Sequence, residues 1–201
     1  MHFPHFAVRK KWRLIALASL CSFVNLSLYS QIKFEREYRL KAVEVPSQAQ
    51  QYVIALGAKK KIKWYKEISQ DGKSIEAKTK IRAHCYSIEF SEVGELEDVE
   101  IKIDWDEIAE TTQQNIKNHL KSIFKKYKIK KIQRQFTGDA ASIKAFLIKQ
   151  KVAENCQIRY EIVVKGRNEK GVRLYEILFA EDGQFLKSLP IELRNTDNLE
   201  Y

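Results

Sequence analysis

The chain of 201 residues carries 36 Lys plus Arg against 26 Asp plus Glu, with 44% hydrophobic and 11% aromatic residues. It has only 7 Gly and 3 Pro. This composition excludes a disordered or collagen-like chain, and the length is sufficient to bury a hydrophobic core. The formal net charge is +10.

Residues 1–30 are typical of a secretory signal peptide. A basic start is followed by an apolar run from Leu14 to Leu28, and small Ser30 before Gln31 marks a cleavage edge. The basic residues are Arg9, Lys10, Lys11 and Arg13. We therefore expect a periplasmic or secreted protein with no membrane span after cleavage.

Two other interpretations of this segment are weaker. An uncleaved anchor is disfavoured because the apolar run of about 15 residues is shorter than the roughly 20 that span a bilayer. A lipid anchor on Cys21 is disfavoured because Leu20 stands where that processing takes a small residue. Removal of residues 1–30 lowers the net charge to +6, with the basic excess in 107–201.

Export also bears on the cysteines. Cys85 and Cys156 would be the two that remain, and an oxidising compartment would permit a disulfide between them. Such a bond would tie the two halves of the chain together. The alternative is two separate small buried thiols, since free Cys commonly packs as a hydrophobe.

An internal repeat organises residues 31–201. Five residues recur with identical spacing: Tyr86, Ile88, Phe90, Glu92 and Gly94 match Tyr175, Ile177, Phe179, Glu181 and Gly183. Alternate apolar residues describe one face of a β-strand, and the Gly ends it with a turn. Residues 61–63 likewise match 128–130, each after an amphipathic helical stretch. The repeat predicts two copies of one helix-then-sheet unit.

The predicted elements follow in chain order. Residues 31–45 form a lead-in segment, and the first helix begins at Pro46 and ends at Gly57. Strands of the first unit are expected near 60–68, 73–83, 85–91 and 97–104. The second helix carries an apolar stripe, and its strands are expected near 128–136, 156–166, 171–180 and 184–192. That stripe comprises Ile108, Ile116, Leu120, Ile123, Phe124 and Tyr127.

The expected domains are a first unit over 46–106, a second over 107–193, and a polar tail over 194–201. Residues 139–150 have no counterpart in the first unit and predict an inserted short helix capped by Asp139. The fold class is therefore α+β, with two tandem helix-plus-four-stranded antiparallel sheet units.

Four segments of the first unit resemble the PepSY-like group, which is similar in fold to the β-lactamase inhibitory protein. They are Trp64-Tyr65-Lys66-Glu67, Asp71-Gly72-Lys73, Glu76-Ala77-Lys78 and Tyr86-Ser87-Ile88-Glu89-Phe90. The strand-end turn of this group often carries Asp before Gly; Asp182-Gly183 keeps it and Val93-Gly94 departs from it. The resemblance implies an extracytoplasmic binding or inhibitory module without catalytic residues.

Strand alternation separates the two sheet faces. In the first unit the face opposite the predicted core is charged, and we expect it to be solvated; Tyr65 on it is a candidate contact. In the second unit that face is apolar at Val163, Leu174 and Leu178. These side chains are either covered, for example by the inserted helix, or bind a protein or peptide partner.

A basic stretch over 117–134 is the second candidate surface. Its members Lys121, Lys125, Lys126, Lys128, Lys130, Lys131 and Arg134 could hold an anionic glycan or lipid of the envelope. Their position after a helix also has a structural explanation, because cations near a helix C-terminus are favourable. Nucleic acid is an unattractive partner for an exported chain.

Catalytic and metal-binding patterns are not found. His84 and His119 stand in no metal-ligand spacing, and the chain has no GxSxG, P-loop or GxGxxG motif. We therefore predict a non-enzymatic protein with no cofactor and no metal, acting by binding.

Overall fold

The structure, a computed structural model, describes residues 35–59, 61–70, 72–149 and 155–191. The predicted signal peptide over 1–30 and the predicted polar tail over 194–201 lie outside the described residues. None of the helices in these four ranges is long and apolar enough to cross a membrane.

The described residues form a nine-stranded sheet in which the strands lie in chain order and each is antiparallel to the next. The strands are β1 Glu35–Leu40, β2 Lys63–Ser69, β3 Gly72–Ile81, β4 His84–Ser91, β5 Leu96–Lys102, β6 Lys126–Gly138, β7 Cys156–Asn168, β8 Gly171–Ala180 and β9 Phe185–Ile191. The lead-in segment thus contributes an edge strand, β1. Because β5 pairs with β6, the predicted strands of both halves belong to one continuous sheet.

Three α-helices interrupt the strand order. They are α1 Ser47–Ala55 before β2, α2 Glu110–Ile123 before β6, and α3 Ala140–Lys149 between β6 and β7. The inserted helix is present as predicted, and Asp139 caps it by accepting a hydrogen bond of 2.7 Å from the Ser142 amide. Short 3₁₀ turns at Ala42–Glu44 and Trp105–Glu107 precede α1 and α2.

One hydrophobic core lies between the helices and one face of the sheet. Alternate strand residues such as Ile88, Phe136 and Ile162 are buried there, because the period of two places them on a single face. The helices contribute Ala49, Val53, Ile116, Leu120 and Ile143 to the same cluster. Burial of each large apolar side chain contributes about 1.5–3 kcal/mol, so this layer dominates the stability.

The second helix is shorter than its apolar stripe predicted. It ends at Ile123, and Tyr127 lies in β6 instead. The Phe124 ring occupies the space beside Gly166, where an added Cβ would lie 2.4 Å from the ring. The Lys125 amide then donates to the Arg167 carbonyl at 2.9 Å, which starts the β6–β7 pairing and excludes a further helical turn.

The two turns that contain the repeated glycines, Gly94 and Gly183, have the same geometry. The Gly94 amide donates to the Ser91 carbonyl, and the Gly183 amide to the Ala180 carbonyl, both at 2.9 Å. Their φ values are +93° and +84°, a conformation that favours Gly over other residues. The Val93 that replaces Asp in the first turn therefore leaves the backbone of that turn unchanged.

Candidate functional site

The sheet face opposite the core, here called the open face, has no helix over it in the described part of the chain. All three helices contribute their buried side chains to the core on the other face. The strand register places open-face residues in rows across the sheet, and one such row runs through Tyr65, Glu76, Glu89 and Asp98. The open face is the surface on which most of the predicted contact residues lie.

Tyr65 on β2 lies between two cations. The Arg39 guanidinium carbon is 5.0 Å from the centre of its ring, and the Lys78 ammonium is 5.1 Å from it. Such cation–π contacts stabilise the ring orientation. The ring is therefore fixed and partly buried, flanked by charge as the sequence predicted.

An ion-paired network surrounds Lys78. Its ammonium lies 2.8 Å from Glu37 Oε1 and 3.1 Å from Glu76 Oε2, while the Ser87 hydroxyl donates to Glu76 Oε1. Burial raises the pKa of Glu76, and Lys78 opposes that shift. The carboxylates of Glu37, Glu67 and Glu76 lie close enough to share one ion, but the Lys78 ammonium already supplies a positive charge there.

A second group of polar side chains occupies the middle of the open face and is called the acidic centre. It consists of Glu89, Asp98, Glu100, Glu161, Gln133 and Gln135, contributed by β4 to β7. Gln133 is only 7% exposed and Glu161 only 8%. The solvated charged face was predicted for the first unit, and that prediction is wrong at Glu76, which is buried as well.

Carboxylates lie side by side in the acidic centre. Glu89 and Asp98 are direct cross-strand partners, and like charges in that position destabilise a sheet. Burial raises the pKa of Asp98 to about 8, with Glu89 and Glu161 adding to the effect and a hydrogen bond from Gln135 opposing it. Burial and the neighbouring carboxylates thus both disfavour the ionised form of Asp98.

The predicted apolar contacts lie at the other end of the face. Val163, Leu174 and Leu178 are all partly buried on the open face, as the strand alternation predicted. Helix α3 does not cover them, because its Phe146 packs on Phe136 at 5.5 Å on the core face. Leu189 and Ile191 of β9 extend this group, here called the apolar strip, to the sheet edge. Glu176 lies within the strip, between Leu174 and Leu178.

The structure does not bring Tyr65 and the apolar strip together. Tyr65 lies on β2 and Leu178 on β8, six strand positions apart in the sheet. With neighbouring strands about 4.8 Å apart, the separation along the sheet is about 30 Å. The two predicted contact regions therefore flank the acidic centre.

The predicted basic stretch is divided among several surfaces. Lys121 lies on α2, Lys125 follows that helix, and Lys130 lies at a bulge of β6. Lys126, Lys128 and Lys131 share the open face with Lys165 and Arg167 of β7. Arg134 lies on the core face, where it donates to the Glu107 carbonyl at 2.7 Å and stacks 5.7 Å from the centre of the Tyr160 ring.

The considered disulfide is not formed. Cys85 is exposed on the open face of β4, whereas Cys156 packs against the core at the start of β7. The two thiols lie on opposite faces and three strand positions apart, so strand geometry prevents their pairing. Burial raises the pKa of the Cys156 thiol, with a smaller effect of Glu181.

The acidic centre is the feature that sequence reasoning missed. The strand pattern predicts a charged face in the first unit but does not show which carboxylates lie beside one another. The available signal was the run of acids over 89–110 together with strand alternation, which puts Glu89, Asp98 and Glu100 on one face.

Comparison with known proteins identifies similar folds but indicates no activity. No family model and no curated protein matches the chain. The fold is similar to a DUF2874 family protein from Bacteroides ovatus ATCC 8483, with a TM-score of 0.50 and 13% identity over 73% of this chain and 87% of that one. This likeness shows the fold alone, a mostly antiparallel sheet with few helices.

Two further solved structures are more distant. One is a protein of Bacteroides eggerthii DSM 20697 named as a proposed periplasmic protein, with a TM-score of 0.49 and 16% identity over 73% of this chain and 88% of that one. The other is a BLIP-like protein from Bacteroides fragilis NCTC 9343, with a TM-score of 0.47 and 15% identity over 78% of this chain and 92% of that one. They add no functional conclusion.

Proposed function

We propose that this protein is an exported, non-enzymatic binding module that recognises a protein or peptide through its open face. The observation that carries the proposal is the absence of a helix over that face in the described residues, although Val163, Leu174 and Leu178 lie on it. Apolar side chains interleaved with charged ones on an uncovered sheet face are typical of a protein contact surface. The partner would be an envelope protein, which the module inhibits or regulates.

The proposed localisation is the periplasm or the cell exterior. It rests on the basic start and apolar run of residues 1–30, with cleavage near Ser30. A secreted binding module also fits the resemblance of Trp64-Tyr65-Lys66-Glu67 and the following segments to PepSY-like proteins.

We further infer that the chain contains two tandem copies of a helix-plus-four-strand unit within the single sheet. Helix α1 precedes four strands and helix α2 precedes four more, with α3 inserted. Each helix also docks on the corresponding turn. An added Cβ on Gly94 would lie 2.8 Å from Pro46 Cβ, and one on Gly183 would lie 2.7 Å from the Thr112 carbonyl oxygen.

The test of the binding proposal is affinity capture from an envelope extract with the purified chain, at low and high salt, followed by mass spectrometry. We expect one protein to be recovered at both salt concentrations, because an apolar contact is weakly screened. The Leu174→Ser/Leu178→Ser double variant should lose that protein. Recovery of the same protein by this variant would contradict the proposal.

A matched control changes two exposed apolar residues away from the open face, Val43→Ser and Ile54→Ser, which should retain the partner. Circular dichroism must show that the variants fold. If Leu174→Ser/Leu178→Ser unfolds, the strip belongs to the core and the proposal fails at that patch. Tyr65→Ala then tests the other end of the open face.

A second candidate function is binding of an anionic glycan or lipid. The observation that favours it is the cross-strand pairing of Lys126 with Arg167 and of Lys128 with Lys165, which concentrates like charge on the open face. Vesicles containing phosphatidylglycerol, and dextran sulfate, serve as probes. Lys128→Gln/Lys165→Gln should weaken binding and raised salt should abolish it, while Lys117→Gln on α2 should have little effect.

A further inference from the structure

We propose that the acidic centre binds a basic side chain, an arginine or a lysine, of the partner segment that crosses the open face. The inference rests on the proposed function and names the chemistry of that partner. The site would be formed by Asp98 of β5 and Glu161 of β7, with the amides of Gln133 and Gln135 between them on β6.

The acidic centre contains more hydrogen-bond acceptors than donors. Gln135 Nε2 donates to Asp98 Oδ2 at 2.9 Å, and Gln133 Nε2 donates to Glu100 Oε2 at 2.5 Å. These bonds fix both amides against the carboxylates. The Oε1 atoms of both glutamines are buried and accept no hydrogen bond from the residues that the structure describes. Since each oxygen shares its carbon with a bonded nitrogen, both oxygens also lie in the acidic centre.

A buried acceptor without a donor costs about 1–3 kcal/mol, so the glutamine oxygens are an independent indication of a missing donor. Gln133 is 7% exposed, which prevents bulk water from solvating its amide freely. A guanidinium group carries five donors and no acceptor, and an ammonium group carries three. Either would satisfy the glutamine oxygens and the carboxylates together.

The surrounding cations do not already fill this role. Lys78 is engaged by Glu37 and Glu76, and Arg159 donates to Gln157 Oε1 at 2.7 Å. Lys102 is the cross-strand partner of Gln133, and its side chain is exposed. Asp98 forms no ion pair within the described residues, although Glu89, Glu97 and Glu161 all raise its pKa. Among the described residues, Asp98 therefore lacks a cationic partner, although Lys102 and Arg159 lie opposite Gln133 and Gln135.

The position of the acidic centre also suits a partner segment. It lies between Tyr65 and the apolar strip, so a segment spanning the open face would pass over it. A basic side chain there would be desolvated between two contact regions, where charge-assisted hydrogen bonds are stronger than in water. It would also relieve the repulsion between Glu89 and Asp98, which are cross-strand partners.

The experiment is isothermal titration calorimetry of the full chain with nona-arginine. Nona-glutamate serves as the charge-reversed probe. We expect binding of nona-arginine alone. Asp98→Asn and Glu161→Gln should each weaken it about tenfold, the loss of roughly one charge-assisted hydrogen bond. The matched control Glu169→Gln removes an exposed carboxylate outside the centre and should change affinity less than about twofold.

The pH dependence gives a second readout. Binding should strengthen between about pH 6 and about pH 9, because Asp98 loses its proton near 8 and a cation favours the ionised form. Asp98→Asn should remove most of this dependence. Equal weakening by Glu169→Gln and Asp98→Asn, or equal binding of nona-glutamate, would overturn the inference.

Failure of the inference can be distinguished from failure of the proposed function. If a partner is captured from extract and Asp98→Asn captures it equally well, the binding function stands and the basic contact is wrong. If nona-arginine binds in an Asp98-dependent way while no protein is captured, the cation site stands and the proposed function fails. Displacement of nona-arginine by calcium chloride at equal ionic strength would assign the centre to a metal and overturn the inference.

Discussion

Gln50 and Gln113 make the same pair of hydrogen bonds in the two halves of the chain. Gln50 Nε2 donates to the carbonyls of Ala42 and Val45, both at 2.9 Å. Gln113 Nε2 donates to the carbonyls of Trp105 and Ile108 at 3.0 and 2.9 Å. In each case a helical glutamine holds the preceding 3₁₀ turn against its helix.

Replacement of either glutamine should therefore destabilise the protein to a similar extent. We expect Gln50→Ala and Gln113→Ala each to lower the free energy of unfolding by about 1–2 kcal/mol, since each removes two hydrogen bonds. The Ala42 and Trp105 carbonyls keep their bonds from the Val45 and Ile108 amides. Urea denaturation measures this. Gln114→Ala, which removes only an exposed bond to Asn118, should change stability by less than about 0.5 kcal/mol. Similar losses of unfolding free energy for all three variants would show that the hydrogen bonds to the 3₁₀ turns do not stabilise the protein more than an exposed bond does.

Substitution of two turn glycines distinguishes the cost of backbone strain from the cost of a steric clash. Gly171 has a φ of +105° with no atom within 4 Å of an added Cβ, whereas Gly183 has a φ of +84° and a Cβ there would lie 2.7 Å from the Thr112 carbonyl oxygen. Gly171→Ala should cost about 1–2 kcal/mol from backbone strain alone. Gly183→Ala should cost at least about 1 kcal/mol more, because α2 must move. Thermal unfolding compares the two, and equal costs would mean that α2 is not fixed against this turn.

The acidic centre should make stability fall as pH rises. The folded-state pKa of Asp98 is about 8, above that of an unfolded aspartate, so the folded state holds a proton that the unfolded state has lost between about pH 4 and 8. The free energy of unfolding should therefore decrease across that window, with a slope of up to about 1.4 kcal/mol per pH unit. Above pH 8 the slope from Asp98 should vanish.

Urea denaturation at several pH values tests this expectation. Asp98→Asn should flatten the curve, because the asparagine does not titrate. Glu76 adds a slope of the same sign, since burial raises its pKa as well. An Asp98→Asn curve as steep as that of the parent chain would show that other groups cause the dependence.

The two thiols should react separately. Brief treatment of the native protein with iodoacetamide should alkylate exposed Cys85 and largely spare Cys156, which packs against the core and whose thiol pKa is raised by burial. Peptide mapping by mass spectrometry measures both sites. Denaturation without reductant should then make Cys156 fully reactive. A peptide containing Cys85 linked to Cys156 would contradict the strand positions of both residues.

Local sequence patterns were sufficient to predict most of the strands. The end of α2 could not be predicted in this way, because it depends on contacts between distant segments. Alternation identified Ile88 and Phe90 as core residues, and both are fully buried. It could not identify the end of α2, because Phe124 and Tyr127 fit a helical stripe as well as they fit the chain's actual path. Contact of Phe124 with Gly166, from a strand far along the chain, ends the helix instead.

The candidate site shows the same division. Face assignment placed Tyr65, Leu174 and Leu178 on the open face, whereas their separation depends on the number of strands between them. The burial of Gln133 and Glu161 depends on strands β5 to β8 lying side by side, and alternation within one strand contains no such information. Arg134 was grouped with the neighbouring lysines, but the register turns it toward the core face.

The order of the strands has a consequence for how the protein folds. Each described strand hydrogen-bonds only to the strands before and after it in the chain, and none inserts between two strands that are already paired. Loop closure for each pairing is therefore short, except where α1, α2 or α3 intervenes. The sheet can grow from its first hairpin one strand at a time, and no later segment is needed to complete an earlier pairing.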